Sequence, residues 1–95
     1  MLFYTTPLDD QFFIVSNEIR SSLKVRPTDE ELLCLYGLYK QATLGNNTTS
    51  PPSIFNLRDD AKWKSWKSFY GKTKKWAKEE YIQFSKELMA KYSYI

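Results

Sequence analysis

Apolar side chains recur along this chain at helical intervals. Leu8, Phe12, Val15 and Ile19 follow one another at steps of four, three and four residues, which puts them on one helix face running on to Ser22-Leu23. The pattern predicts a first helix opening at Thr6-Pro7, with Thr6 as N-cap, proline at the first helical position and Asp9-Asp10 in the electropositive first turn. Pro27 interrupts it. Thr28 then caps a second helix, and Glu31 three residues on completes a capping box. Leu32, Leu35, Tyr39 and Ala42 form one stripe of that helix, and Gly45 is a natural stop. Residues 46–57 have turn composition, and about twelve residues is long for a connection in a compact bundle. Ile54, Phe55 and Leu57 are therefore expected to pin that connection to the core. A third helix is expected over about 57–70, with Trp63, Trp66, Phe69 and Tyr70 on its buried side and Gly71 ending it. Thr73 caps a fourth, in which Ala77, Tyr81, Phe84 and Leu88 repeat at helical spacing. No stretch reads as a strand, so the prediction is an all-α, four-helix domain.

Composition fits one domain over residues 1–95, with a core over about 8–92. Three tryptophans, seven tyrosines and six phenylalanines are a generous supply for so short a chain, because each aromatic ring can bury on the order of 150–250 Å². A single cysteine, Cys34, cannot form an internal disulfide, and it sits mid-helix among leucines as a small core residue does. No run approaches the ~20 apolar residues of a membrane span, and the first residues lack the basic and apolar regions of a signal peptide. Asn46-Asn47-Thr48 and Asn47-Thr48-Thr49 match the glycosylation pattern, which carries no weight in the cytoplasmic protein these features imply. Charge changes the picture more. The net +3 divides into −2 over residues 1–50 and +5 over residues 51–95, and Ala61–Lys78 holds seven lysines and no acid. Such a run is either a solvated helix surface or a field that draws in anions. The solvated reading suits Lys72, Lys74 and Lys75; the neighbours of Lys62 favour the second.

Catalytic chemistry has little to work with. The chain has no histidine, its lone cysteine cannot build a thiolate zinc site, and Gly37, Gly45 and Gly71 are too scattered for a phosphate loop. Asp29-Glu30-Glu31 and Asp59-Asp60 fall at helix starts, where capping and the helix dipole account for them. Neither an enzyme nor a metal or cofactor site is expected.

Binding chemistry is better supplied. Tyr36, Tyr39 and Lys40 stand at i, i+3 and i+4, so two phenol hydroxyls and one ammonium share a helix face. Lys62 places another ammonium beside the indoles of Trp63 and Trp66. Flat rings with cationic and phenolic donors suit a ligand that is both planar and anionic, such as a nucleotide.

These segments resemble the acyl-CoA-binding protein family. Leu33-x-x-Tyr36-x-x-Tyr39-Lys40-Gln41-Ala42-Thr43-x-Gly45 is similar to its central motif, and Ala61-Lys62-Trp63-x-x-Trp66 to its second. Pro27, Asp29-Glu30, Pro52, Gly71, Ala77 and Tyr81-Ile82 follow in family order, so the resemblance covers about residues 8–92. It implies an up-down-down-up bundle with the long loop between helices two and three. It also implies that Lys40 and Tyr36 hold the 3′-phosphate of coenzyme A, that Tyr39 frames the nucleotide, and that Lys62 meets the same phosphate from helix three. Arg58, at i−4 from Lys62, stands where relatives often carry lysine, and Tyr81 matches a head-group tyrosine. In helix one, setting Phe12 on the family phenylalanine puts Ser16 and Arg20 on its alanine and lysine; an ungapped alignment selects Phe13, Asn17 and Ser21 instead. The first keeps Val15 and Ile19 on the apolar face. Phe12, Ser16, Leu32, Leu33 and Leu35 would then line the acyl groove.

Two positions depart from the family. Asp60 often corresponds to a lysine and should weaken the local positive field. Trp76 replaces a charged residue, either as an exposed aromatic for a membrane or partner or as a cover for the loop. Trp63 and Trp66 read as packing anchors. The implied function is a monomeric, cytoplasmic carrier of medium- to long-chain fatty acyl-CoA. It would have no nucleic-acid partner and at most transient contacts with membranes or acyl-CoA-using enzymes. Two rivals share parts of this profile: DNA-binding boxes are also small, helical, basic and aromatic, and a membrane adaptor could use the lysine run with Trp76.

Overall fold

A computed structural model describes residues 6–93, which form four α-helices: α1 (Leu8–Ser22), α2 (Asp29–Leu44), α3 (Leu57–Lys67) and α4 (Lys74–Tyr92). No strand occurs among the described residues. The capping residues explain most boundaries. Thr28 and Glu31 make the full capping box at α2, and Thr73 accepts from the Trp76 amide at α4. Gly45 ends α2 at φ 82°, a backbone region that other residues rarely adopt. At α1 the expected cap is corrected. Pro7 takes the N-cap position without a side-chain bond, and Thr6 instead accepts the Gln11 side-chain amide on its carbonyl at 2.7 Å.

Side-chain contacts set the helix directions. Near their starts, α1 and α4 are joined by Asp9 with Lys78 (2.7 Å) and by the rings of Phe12 and Tyr81, and near their ends by the Lys24 amide on the Tyr92 carbonyl (2.8 Å); they run parallel. α2 runs against α4, because Glu31 meets Lys91 and Tyr92 while Gln41 donates to the Lys72 carbonyl at 2.7 Å. α3 follows the direction of α2: Leu57 and Arg58 lie beside Asp29 and Leu33, and Trp66 donates to the Gly45 carbonyl at 2.8 Å. The order is up-down-down-up. α4 packs on both α1 and α2, whereas α3 packs on α2 alone. Phe12, Val15, Ile19, Leu35, Leu38, Ala42, Ala77, Tyr81, Ile82 and Leu88 form the core.

The long connection is held differently from expectation. Ile54, Phe55 and Leu57 do not pin it; they are 76%, 90% and 77% exposed. A buried polar residue does the work. Asn47 is fully buried, donates to the Trp63 carbonyl at 3.3 Å and accepts the Thr49 amide at 3.0 Å. Trp63 returns an indole N–H to the Thr49 hydroxyl at 2.9 Å, and Lys67 donates to the Asn47 carbonyl at 3.2 Å. Helix three is also shorter than expected. It stops at Lys67, the Phe69 and Tyr70 amides donate to the Trp66 and Lys67 carbonyls three residues back, and Tyr70 is 54% exposed rather than buried.

Close approach of α3 to α2 depends on Gly37. A Cβ there would meet the Ser65 carbonyl oxygen at 2.7 Å and Phe69 at 2.9 Å. Ser65 in turn donates its hydroxyl to the Leu33 carbonyl, tying the two helices at the same level. Gly37→Ala is expected to destabilise the fold by about 1–2 kcal/mol in urea titrations, because overpacking outweighs the ~1 kcal/mol helix-propensity gain. A second change, Ser65→Ala, should recover part of that loss.

Glu31 links three elements of structure. Its carboxylate accepts the Tyr92 hydroxyl, the Thr28 amide (2.9 Å) and the Lys91 ammonium (3.0 Å). Those donors, Tyr92 foremost, hold the carboxyl at about 2 instead of 4.5. A carboxyl depressed by folding stabilises above its unfolded value, so this contribution should persist above about pH 4.5 and vanish toward pH 2. Glu31→Gln should accordingly lower the urea midpoint at neutral pH, and the gap from the parent should close as pH falls through that window.

Candidate ligand-binding site

α2 supplies Tyr36, Tyr39 and Lys40 on one face, and the tight α2–α3 packing at Gly37 brings Lys62 up to them. The Lys62 ammonium lies 4.8 Å from the Tyr36 ring centre. Lys40 lies 6.0 Å from the same ring and 4.8 Å from that of Trp66. Two cations from two helices thus sit over one aromatic deck, within the range where ring faces attract a positive charge.

Beside this deck a cavity of about 620 Å³ gathers Ser16 and Arg20 from α1, Leu32, Leu35, Tyr36 and Tyr39 from α2, and Tyr81 from α4. A second cavity of about 450 Å³, between α2 and α3, gathers Leu32, Leu33, Tyr36, Leu57, Arg58, Ala61 and Lys62. Leu32 and Tyr36 line both, so the two meet along that ridge. The structure therefore brings together ten of the predicted positions around two adjoining cavities, each lined by both cations and leucines. Lys40 stands at their edge over Trp66. Phe12 lies outside both cavities; its buried ring stacks on Tyr39 at 5.6 Å and tilts against Tyr81 at 5.0 Å, supporting the two tyrosines from below. Asn17 and Leu23 also line the larger cavity. Asn17 belongs to the ungapped alternative for helix one, and Leu23, which the sequence reading did not select, lies one turn from Arg20, which was the available signal.

In helix one the buried phenylalanine is that of the Phe12 register, while the larger cavity takes Ser16 and Arg20 of that register and Asn17 of the ungapped one. Phe12 is buried while Phe13 is 67% exposed, and Arg20 reaches the cavity whereas Ser21 bonds back to the Glu18 carbonyl at 3.1 Å. Burial, above all, pushes the Tyr81 phenol up, so its hydroxyl remains a neutral donor at ordinary pH. The acids serve other cations. Asp60 holds Lys64 at 2.9 Å, Asp9 holds Lys78, Glu31 holds Lys91 and Asp29 holds Arg26. Among the described residues, no carboxylate pairs with Arg20, Lys40, Arg58 or Lys62. Four uncompensated cations therefore border the cavities, and Asp60 is turned to Lys64. This arrangement can neutralise several phosphates while leaving an apolar trough next to them.

Outside the site, Trp76 is half-buried, packs on Phe69 at 6.0 Å and lies under the Lys72 ammonium at 4.9 Å. It covers the α3–α4 turn. Cys34 is partly buried, which pushes its thiol up and keeps it protonated. Among the described residues no group of three histidines, cysteines or acids could hold a metal, and no helix is long and apolar enough to cross a membrane.

The sequence pattern of the family described as "Acyl CoA binding protein" matches residues 9–85. The chain belongs to the acyl-CoA-binding protein family. Acyl-CoA-binding protein 2 of Saccharomyces pastorianus is 45% identical over 83 residues, 87% of this chain and 95% of that one. The acyl-CoA-binding protein homolog of Drosophila melanogaster is 41% identical over 86 residues, covering 90% and 99%. Among solved structures, Oryza sativa acyl-CoA-binding protein 2 superposes with a TM-score of 0.86 at 39% identity, over 94% of this chain and 96% of that one. The Moniliophthora perniciosa member gives 0.74 at 28% identity, over 87% and 92%. The family bundle is thus reproduced through nearly the whole chain.

Proposed function

We propose that this protein binds medium- to long-chain fatty acyl-CoA thioesters with high affinity and carries them intact, as a cytoplasmic monomer that forms an acyl-CoA pool for lipid metabolism. One observation supports this above the others: Lys40 and Lys62, from different helices, both stand over the ring of Tyr36, a residue that lines both cavities, and each cavity sets cations beside leucines. The phosphates of coenzyme A fall to Lys40, Lys62, Arg58 and Arg20, and the adenine and ribose to Tyr36, Tyr39 and Tyr81. The acyl chain follows Leu32, Leu33 and Leu35, with Ser16 and the Phe12-supported rings at its head-group end. Binding, not turnover, is the activity: no cofactor takes part, nucleic acid is not a partner, and contacts with membranes or acyl-CoA-using enzymes are transient.

Acyl-chain length tests this reading. Each methylene taken from water contributes roughly 0.8 kcal/mol, so affinity should rise about fourfold per carbon until the trough is filled. Titration calorimetry with octanoyl- to stearoyl-CoA should show that climb and then a plateau. Affinity independent of chain length would leave the apolar trough without a role.

A further inference from the structure

Nine large apolar residues are exposed among those described, and three of them, Ile54, Phe55 and Leu57, fall within four consecutive positions. They are displayed by a built turn. The Asn56 amide donates to the Ser53 carbonyl at 3.0 Å, the Phe55 amide to the Ser53 hydroxyl at 3.2 Å, and the Asn56 side chain caps α3. Water-facing apolar side chains clustered in this way mark a contact surface more often than chance exposure does.

Charge identifies the kind of surface. Arg58 directly follows Leu57, and Lys62 lies one helical turn further; neither pairs with a carboxylate among the described residues. Of the neighbouring acids, Asp60 is paired with Lys64 at 2.9 Å, and Asp59, which accepts the Asn56 side-chain amide at 2.8 Å, keeps its charge and leaves Arg58 and Lys62 in excess by one. A small apolar tip bordered by available cations matches a bilayer interface with anionic headgroups, where inserted side chains and basic residues act together. Three side chains are too few for a stable protein interface, which buries on the order of 1,200–2,000 Å².

We propose that Ile54, Phe55 and Leu57 form a membrane-docking wedge that seats on an anionic lipid surface. Leu57 and Arg58 also line the 450 Å³ cavity, so docking would set the mouth of that cavity at the lipid interface. An amphiphilic thioester dissolved in the membrane could then enter without crossing bulk water. This inference rests on the acyl-CoA reading above for its purpose, though not for its physical test.

The test is flotation of the ligand-free protein with phosphatidylcholine vesicles carrying roughly 30 mol% phosphatidylserine, and with phosphatidylcholine alone. The double variant Ile54→Ser/Phe55→Ser is compared with the parent; both positions are exposed and outside the cavities, and a thermal melt checks its fold. The expected result is binding of the parent to the anionic vesicles, at least about fivefold weaker binding by the variant, and little binding to neutral vesicles. Palmitoyl-CoA affinity in solution should stay within about twofold of the parent, because these side chains are not assigned to the ligand. Equal flotation of parent and variant would overturn the wedge. So would a parent that ignores vesicles, including one that self-associates through this tip in sedimentation equilibrium, or a variant that loses ligand affinity while still floating. The carrier reading fails separately, if the parent floats but does not bind palmitoyl-CoA.

Discussion

Replacing Lys40 with alanine should weaken palmitoyl-CoA binding by about 2–5 kcal/mol, or roughly thirty-fold to several-thousand-fold in Kd. Lys40 is half-buried between the Tyr36 and Trp66 rings, and no carboxylate among the described residues pairs with it. Removing it would leave a ligand phosphate partly desolvated with one cation fewer, and the rigid deck beneath offers no substitute. The change should cost the fold at most about 1 kcal/mol, the scale of a cation–π contact at a partly exposed site. Lys40→Arg should recover a large part of the affinity by retaining charge, though a planar fork does not reproduce an ammonium. Lys75→Ala, at an exposed position on α4 away from both cavities, is the control and should bind like the parent. Calorimetry giving parental affinity for Lys40→Ala would remove this residue from the site and undercut the shared-phosphate arrangement.

Trp66→Ala should lower folding stability by about 3–5 kcal/mol, a large share of the 5–15 kcal/mol available to a domain of this kind. The indole is 8% exposed, supports Lys40, and donates its N–H to the Gly45 carbonyl at the end of α2. One side chain thus joins α3, the C-terminus of α2 and the start of the long connection. Trp66→Phe separates the two contributions: it keeps most of the packing and loses the hydrogen bond, so it should cost about 0.5–1.5 kcal/mol. The melting temperature of Trp66→Ala should fall by well over 10 °C, at roughly 4–8 °C per kcal/mol for a domain of this size. A shift of only a degree or two would mean that the indole is dispensable to the α2–α3 contact. Trp63, more open to water and bonded to the loop, should tolerate truncation better.

The helices were legible because their ends carry local chemistry. Thr28 with Glu31, Thr73 and Gly45 each act within a few residues of themselves, and a sequence displays such relations directly, whereas Gly71 lies four residues beyond the end of α3. The connection was not legible, because apolar residues are not obliged to be buried, whereas a polar residue with all its partners can be. Ile54 and Phe55 looked like anchors and face water; Asn47 looked like a turn former and is fully buried. Its partners Trp63 and Lys67 lie sixteen and twenty residues away, beyond any local rule. For the same reason the Asn47-Thr48-Thr49 pattern is a structural latch, its amide already committed to Trp63. The site was legible in part. Tyr36, Tyr39 and Lys40 share a face by helical spacing alone, but the arrival of Lys62 over Tyr36 depends on Gly37 admitting α3 against α2. The direction of each helix came only from family resemblance, since periodicity has no sign.

Among the described residues α1 and α3 each have a single helical neighbour, whereas α2 and α4 each have two. Of the two outer helices only α3 carries Arg58 and Lys62, so local opening of the α2–α3 contact would take both cations away from Lys40. A thioester gripped by Lys40 on one bank and Lys62 on the other would act as a suture across that seam. Cargo would escape at the pace at which this one helix swings free, so the carrier's grip and its rigidity would be the same quantity.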